Sequence, residues 1–162
     1  MRIFGRVVIT ALCVAGLIGA SAVPTFADEK GNLTDFSSMT AIAVKGTVVR
    51  GIVGGGFPWA ITAGTGSVSQ RGDVDVTVTG LVIPALGGIN PVKKFEATVS
   101  CIGADGLPHN VSTGGFDATV PGGNSHITAT VSLPRPCKDP IVFVGLFPSG
   151  NWFAMSNPDS QP

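Results

Sequence analysis

The sequence predicts an all-β domain, an antiparallel β-sandwich of Ig-like or Greek-key type with about 7–9 strands, preceded by a signal-peptide helix. Apolar and polar residues alternate with period two along much of the chain. Clusters of Gly and Pro punctuate the alternating runs, and beyond residue 27 no stretch holds a 3.6-residue apolar stripe over three turns.

Arg2 and Arg6 give a basic start, an uncharged run from Val7 to Ala27 follows, and Thr25-Phe26-Ala27 ends it before Asp28-Glu29-Lys30. Basic, apolar, small, then polar is the order of a secretory signal peptide, cut here after Ala27, with Ala20-Ser21-Ala22 as a second cut site. The run is long enough to span a bilayer. Gly16, Gly19, Ala20, Ser21, Ala22 and the helix-breaking Pro24 nonetheless suit a cleaved leader better than a retained anchor. A lipid on Cys13 is disfavoured, because bulky Leu12 precedes it in mid-run. The expected location is therefore extracellular, with membrane contact only through an uncleaved leader.

Residues 28–39 read as a polar linker, 40–156 as a single sandwich domain and 157–162 as a flexible tail. Within the domain, Val74, Val76 and Val78 alternate with Asp75, Thr77 and Thr79. Phe95, Ala97, Val99 and Cys101 alternate with Glu96, Thr98 and Ser100, and Ile127, Ala129, Val131 and Leu133 with His126, Thr128, Thr130 and Ser132. Each run predicts a strand with one face inward and one toward water. Further strands are predicted over 40–53, 59–69, 110–119, 140–147 and 151–156. Ile141-Val142-Phe143-Val144 is apolar on both faces and belongs in the middle of a sheet. Pro148-Ser149-Gly150-Asn151 then turns the chain so that Trp152-Phe153-Ala154-Met155 returns as its hairpin partner.

The chain is 44% hydrophobic and 12% charged. Arg2 and Arg6 leave with the leader, so ten basic residues fall to eight against ten acidic, and the only basic run is Lys93-Lys94. That balance excludes a nucleic-acid footprint. Cys13 also leaves, which pairs Cys101 with Cys137 in an oxidising compartment. A bridge closing a loop of about 37 residues contributes roughly 3–4 kcal/mol by chain entropy. A metal site joining these cysteines to His109 and His126 matches no zinc spacing, so no metal or cofactor is expected.

The candidate binding residues are Trp59, Trp152, Arg71 and Asp73. Exposed on a sheet face, the tryptophans would stack a sugar or a partner side chain; buried, they fill the core, which is the favoured reading. Arg71-Gly72-Asp73 falls at a predicted hairpin turn, where an integrin would read one cation and one carboxylate across a flexible glycine. Gly and Asp are also ordinary turn residues, and a tripeptide recurs by chance. Asp73 and Asp75 on one strand face would offer oxygens to calcium, but the later ligands of a calcium loop are missing.

No catalytic constellation assembles. Ser125 and His126 point to opposite faces of a strand, no Gly-x-Ser-x-Gly elbow occurs, and Glu96 reads as a solvated side chain. Gly54-Gly55-Gly56 lacks the Lys-Ser or Lys-Thr and the helix of a phosphate loop. Asn32-Leu33-Thr34 and Asn110-Val111-Ser112 match the glycosylation acceptor pattern. The expectation is a secreted, non-enzymatic module that contacts an extracellular protein or glycan through its surface. The alternatives are a small hydrolase with a loop site near Asp105, His109 and Asp117, and a calcium-stabilised extracellular module on Asp73 and Asp75.

Overall fold

A computed structural model describes residues 31–157. The expected leader helix and its cleavage points, and the tail beyond Asn157, lie outside the described residues. The strands are β1 (Asn32–Phe36), β2 (Met39–Ala41), β3 (Val48–Val49), β4 (Ile52–Val53), β5 (Ala63–Ser69), β6 (Asp73–Thr79), β7 (Lys94–Ile102), β8 (Pro108–Ser112), β9 (Phe116–Asp117), β10 (Ser125–Thr130), β11 (Lys138–Leu146) and β12 (Trp152–Ser156). A 3-10 turn, Pro84–Leu86, lies between β6 and β7.

Two antiparallel sheets pack together. One has the order β1-β5-β6-β10; the other runs β2-β12-β11-β7-β8, with β9 also on β7. Among the described residues the sheets do not join into a barrel. Alternation decides what lies between them. Val74, Val76 and Val78 of β6, Val68 of β5 and Ile127 of β10 are buried from one side. Phe95, Ala97, Val99, Val142 and Val144 meet them from the other. The register pairs Val142 with Val99 and Val144 with Ala97, so these four share the inner face.

The two-faced apolar run Ile141–Val144 lies as expected inside a sheet, between β12 and β7, and β11–β12 form the expected hairpin. The Cys101–Cys137 disulfide is formed, and its cysteines are 36 apart in sequence. It ties β7 to the segment entering β11, so it reinforces two strands that are already neighbours.

Several segments differ from the sequence reading. Asn32–Phe36, taken as linker, is strand β1 paired with β5, because Phe36 packs inside opposite Gly66, which leaves room for its ring. Asn157, assigned to the tail, extends the β2–β12 edge: its backbone N–H donates to the Ser38 carbonyl at 3.1 Å, and Thr40 Oγ1 donates to its Oδ1 at 2.8 Å. The strand predicted over 40–53 breaks into β2, a turn and the β3–β4 hairpin. The strand predicted over 110–119 divides at Thr113–Gly115 into β8 and β9.

The largest correction concerns β7. Glu96, Thr98 and Ser100 alternate outward but are buried, at 5%, 6% and 0% exposure, rather than solvated. Their face is that of Phe143 and Ile141, which the register sets opposite Thr98 and Ser100. Over it lie the β3–β4 hairpin and the turn before β12.

Candidate functional site

The β3–β4 hairpin forms a strap across the outer face of the six-stranded sheet. Locally, Thr47 closes a turn onto Val44, its N–H and its Oγ1 both donating to the Val44 carbonyl at 3.3 and 2.7 Å. Val48-Val49 then pairs with Ile52-Val53 across Arg50-Gly51. Both turn residues have positive φ, 49° and 80°, as a two-residue hairpin with the native twist requires. Glycine adopts that backbone freely; arginine does so at a cost.

Contacts with the sheet hold the strap. Arg50 Nη1 donates to the Ser100 carbonyl at 3.0 Å, and the Arg50 carbonyl accepts from Asn110 Nδ2 at 3.0 Å. Asn151 Nδ2 donates to the Val53 carbonyl at 3.3 Å, and Trp152 Nε1 to the Thr47 carbonyl at 3.2 Å. Gly55 N–H adds a bond to the Trp152 carbonyl at 2.9 Å. Val49 and Ile52 face inward and pack on the core.

Val48 and Val53 are cross-strand partners on the opposite face of the hairpin, 59% and 46% exposed. Val44 at 66% and Phe57 at 47% are also exposed, in the chain just before and just after the hairpin. Backbone bonds from Gly54 N–H to the Thr47 carbonyl and from Gly46 N–H to the Gly55 carbonyl hold the two arms together.

Beside the strap runs a groove of about 350 Å³, with Ile52 and Val53 on one side, Thr98, Asn110 and Ser112 along it, and Asn151 opposite. Thr98 Oγ1 and Ser112 Oγ share a hydrogen bond of 2.8 Å. Glu96, two residues from Thr98 on the same face, is buried, and burial raises its carboxyl above its ordinary value; the backbone N–H of Gly150 offsets part of that rise. The buried Ser100 hydroxyl has no hydrogen-bond partner.

The residues singled out from sequence fall elsewhere. Trp59 and Trp152 are buried at 7% and 4%. Trp59 stacks on Phe153 with centroids 3.9 Å apart, and Trp152 meets Phe143 edge-on at 5.8 Å. Neither offers a face for stacking a ligand; they fill the packing inside the fold and under the strap.

Arg71 and Asp73 do lie at the β5–β6 turn, but they face each other, Nε to Oδ2 at 3.5 Å. Asp73 accepts from Ser69 Oγ at 2.9 Å and from Thr130 Oγ1 at 3.0 Å. Those hydroxyls, and then Arg71, hold its carboxyl below its ordinary value. Gly72, with φ 91°, sits against the backbone of Val131, whose N–H donates to the Gly72 carbonyl at 2.9 Å. The tripeptide is a pinned turn with its two charges paired, rather than the flexible presentation an integrin would read.

The trio of the hydrolase reading does not converge. His109 Nε2 lies 3.0 Å from each carboxylate oxygen of Asp105, both side chains about half exposed. The Leu107 backbone N–H, and then His109, hold the Asp105 carboxyl below its ordinary value. Asp117 lies opposite Lys94 at the other end of β7 and pairs with its Nζ at 2.9 Å, while His109 lies opposite Cys101. Seven residue steps of strand separate these positions, about 24 Å.

The calcium pair also divides. Asp75 meets His126 Nε2 at 3.1 Å, and Asp73 is held by Ser69 and Thr130. Among the described residues, no three His, Cys, Asp or Glu side chains are placed to share a metal. Of the two glycosylation patterns, Asn110 uses its amide nitrogen to hold the strap.

The strap escaped the sequence reading, which ran one strand through it. Its signal was Arg50-Gly51 between two apolar pairs, a two-residue turn in a short hairpin. Neither protein-family models, curated proteins nor solved structures match this chain.

Proposed function

We propose that this protein is an exported, non-enzymatic β-sandwich of Greek-key type that works as a binding module through the outer face of its six-stranded sheet. The topology supports the sandwich reading. β6 and β10 are neighbours in one sheet, while β7 and β11, the strands that follow them in the chain, are neighbours in the other. The Cys101–Cys137 bridge suits an oxidising compartment and so agrees with the export leader expected at the amino end.

One observation carries the functional reading: Val48 and Val53 face outward from a hairpin whose other face already completes the packing. An outward apolar pair of this kind, with exposed Val44 and Phe57 on the chain flanking the hairpin, is a contact surface rather than a remnant of folding. The groove beside it supplies hydroxyls and amides to fix the orientation of a partner.

The test is recovery of partners, protein or glycan, from the native secretion environment, comparing wild type with Val48→Asn/Val53→Asn. The double variant loses what wild type retains. Equal recovery by both overturns the assignment of the strap. Turnover of a test substrate by the purified protein overturns the non-enzymatic reading. N-terminal sequencing of the exported chain begins at Asp28; a chain beginning at Met1 overturns cleavage.

A further inference from the structure

We propose that the strap docks on anionic lipid bilayers, with Val44, Val48, Val53 and Phe57 entering the headgroup boundary and Lys45 and Arg50 meeting the lipid charge. This rests on the reading of the strap as the contact surface and names its occupant. It gives the folded domain a membrane contact of its own, whereas the sequence pointed only to an uncleaved leader.

The apolar residues lie on the outermost layer of the fold. The inner pair Val49 and Ile52 packs on the core, so the outer pair is free of any packing duty. A hairpin presenting β-branched side chains away from the sheet, with an exposed Phe57 in the chain after it, suits a soft boundary, where apolar groups enter a shallow layer without a preformed pocket.

Charge selects the kind of bilayer. From residue 36 to residue 72 the chain contains no Asp or Glu, while Arg50 lies at the tip of the strap and Lys45 in the loop just before it. Lys45 is exposed and Arg50 half-buried, with Nη1 on the Ser100 carbonyl. The groove side is lined by uncharged Asn110, Ser112, Ser149 and Asn151, and the nearby Glu96 is buried. The strap, its flanking loop and the groove lining therefore carry cations and apolar groups and no exposed acid, although the chain without its leader carries more acids than bases. A second copy on the same face would set Lys45 and Arg50 against themselves. Anionic headgroups accept both cations, and each Lys or Arg near such a surface raises partitioning about fivefold.

The experiment measures partitioning of the exported protein onto phosphatidylglycerol–phosphatidylcholine vesicles and onto pure phosphatidylcholine vesicles. Wild type and variants carry identical amino termini, verified by intact mass, so any retained leader contributes equally. Wild type is expected to bind the anionic vesicles at least tenfold more tightly than the neutral ones. Val48→Asn/Val53→Asn lowers anionic binding at least tenfold without adding charge, and Val44→Asn, in the loop before the strap, lowers it in the same direction with no strand residue altered. Lys45→Gln lowers anionic binding about fivefold and leaves neutral binding unchanged.

Vesicle binding that is equal in wild type and both asparagine variants overturns the proposal, as does absence of wild-type binding to anionic vesicles. If vesicles are ignored while a soluble partner is captured by wild type and lost by Val48→Asn/Val53→Asn, the lipid occupant is refuted and the contact-surface reading stands. Loss of neither vesicles nor partners in that variant refutes both.

Discussion

Replacing Cys101 and Cys137 together by alanine removes a covalent link whose effect lies mainly in the unfolded chain. In the folded protein, β7 and β11 are already paired along their length, so the bridge adds little new contact. In the unfolded protein it closes a loop between positions 36 apart. The chain-entropy relation assigns that closure about 13 cal/mol/K, or about 4 kcal/mol at 25 °C. Residues 31–157 unfold with an entropy of about 0.27 kcal/mol/K near 60 °C, from about 2.1 cal/mol/K per residue. Near 60 °C the same entropy amounts to about 4.3 kcal/mol, so the melting temperature should fall by about 16 °C. Cys101 is fully buried, so the alanine variant also loses sulfur packing. Calorimetry of the oxidised and reduced wild type separates the two effects, because reduction keeps both sulfur atoms. A reduced protein that melts within about 3 °C of the oxidised one would refute the loop-closure reasoning.

Three other perturbations probe the strap, the pinned turn and the buried acid. Phe143→Ala removes a fully buried ring from beneath the strap and should cost about 3–5 kcal/mol in urea unfolding, with faster amide exchange at Val49 and Ile52. Gly72→Ala puts a β-carbon onto the Val131 carbonyl at a residue with φ 91°, and a loss of about 2 kcal/mol or more is expected; a neutral result would mean that the turn relaxes freely. Glu96→Gln tests the sign of a pH effect. The folded-state value lies above the ordinary 4.5, so the stability present below that value is lost as pH rises through the folded-state value. The variant should therefore be more stable than wild type at pH 7 and equal to it below pH 4. A wild type that is the more stable of the two at pH 7 would show that Glu96 is satisfied where it lies.

Strands β6, β7, β10 and β11, and the β11–β12 hairpin, were legible because their alternation is local and long enough to count. β1 was not, since Asn32–Phe36 has few apolar residues and becomes a strand only by pairing with β5. The candidate site was legible in fragments. The tryptophans mark its neighbourhood, since Trp152 bonds the Thr47 carbonyl and Phe57 precedes Trp59 by two residues, but the exposed groups are valines that the sequence reading placed in an ordinary strand. Arg71 and Asp73 were placed correctly at a turn. Their mutual pairing depends on Ser69 and Thr130, and Thr130 comes from a strand far along the chain.

By itself the sequence determined the all-β class, the pairing of the two cysteines and the side of each central strand that meets the core. Period two and cysteine count are properties of short segments, and they hold wherever the strand is placed. Only the tertiary structure decided that Glu96, Thr98 and Ser100 are buried and that Val48 and Val53 are bare. Alternation states which residues share a face. Whether water or another part of the chain covers that face is fixed by a hairpin some fifty residues away, through contacts that no local pattern encodes.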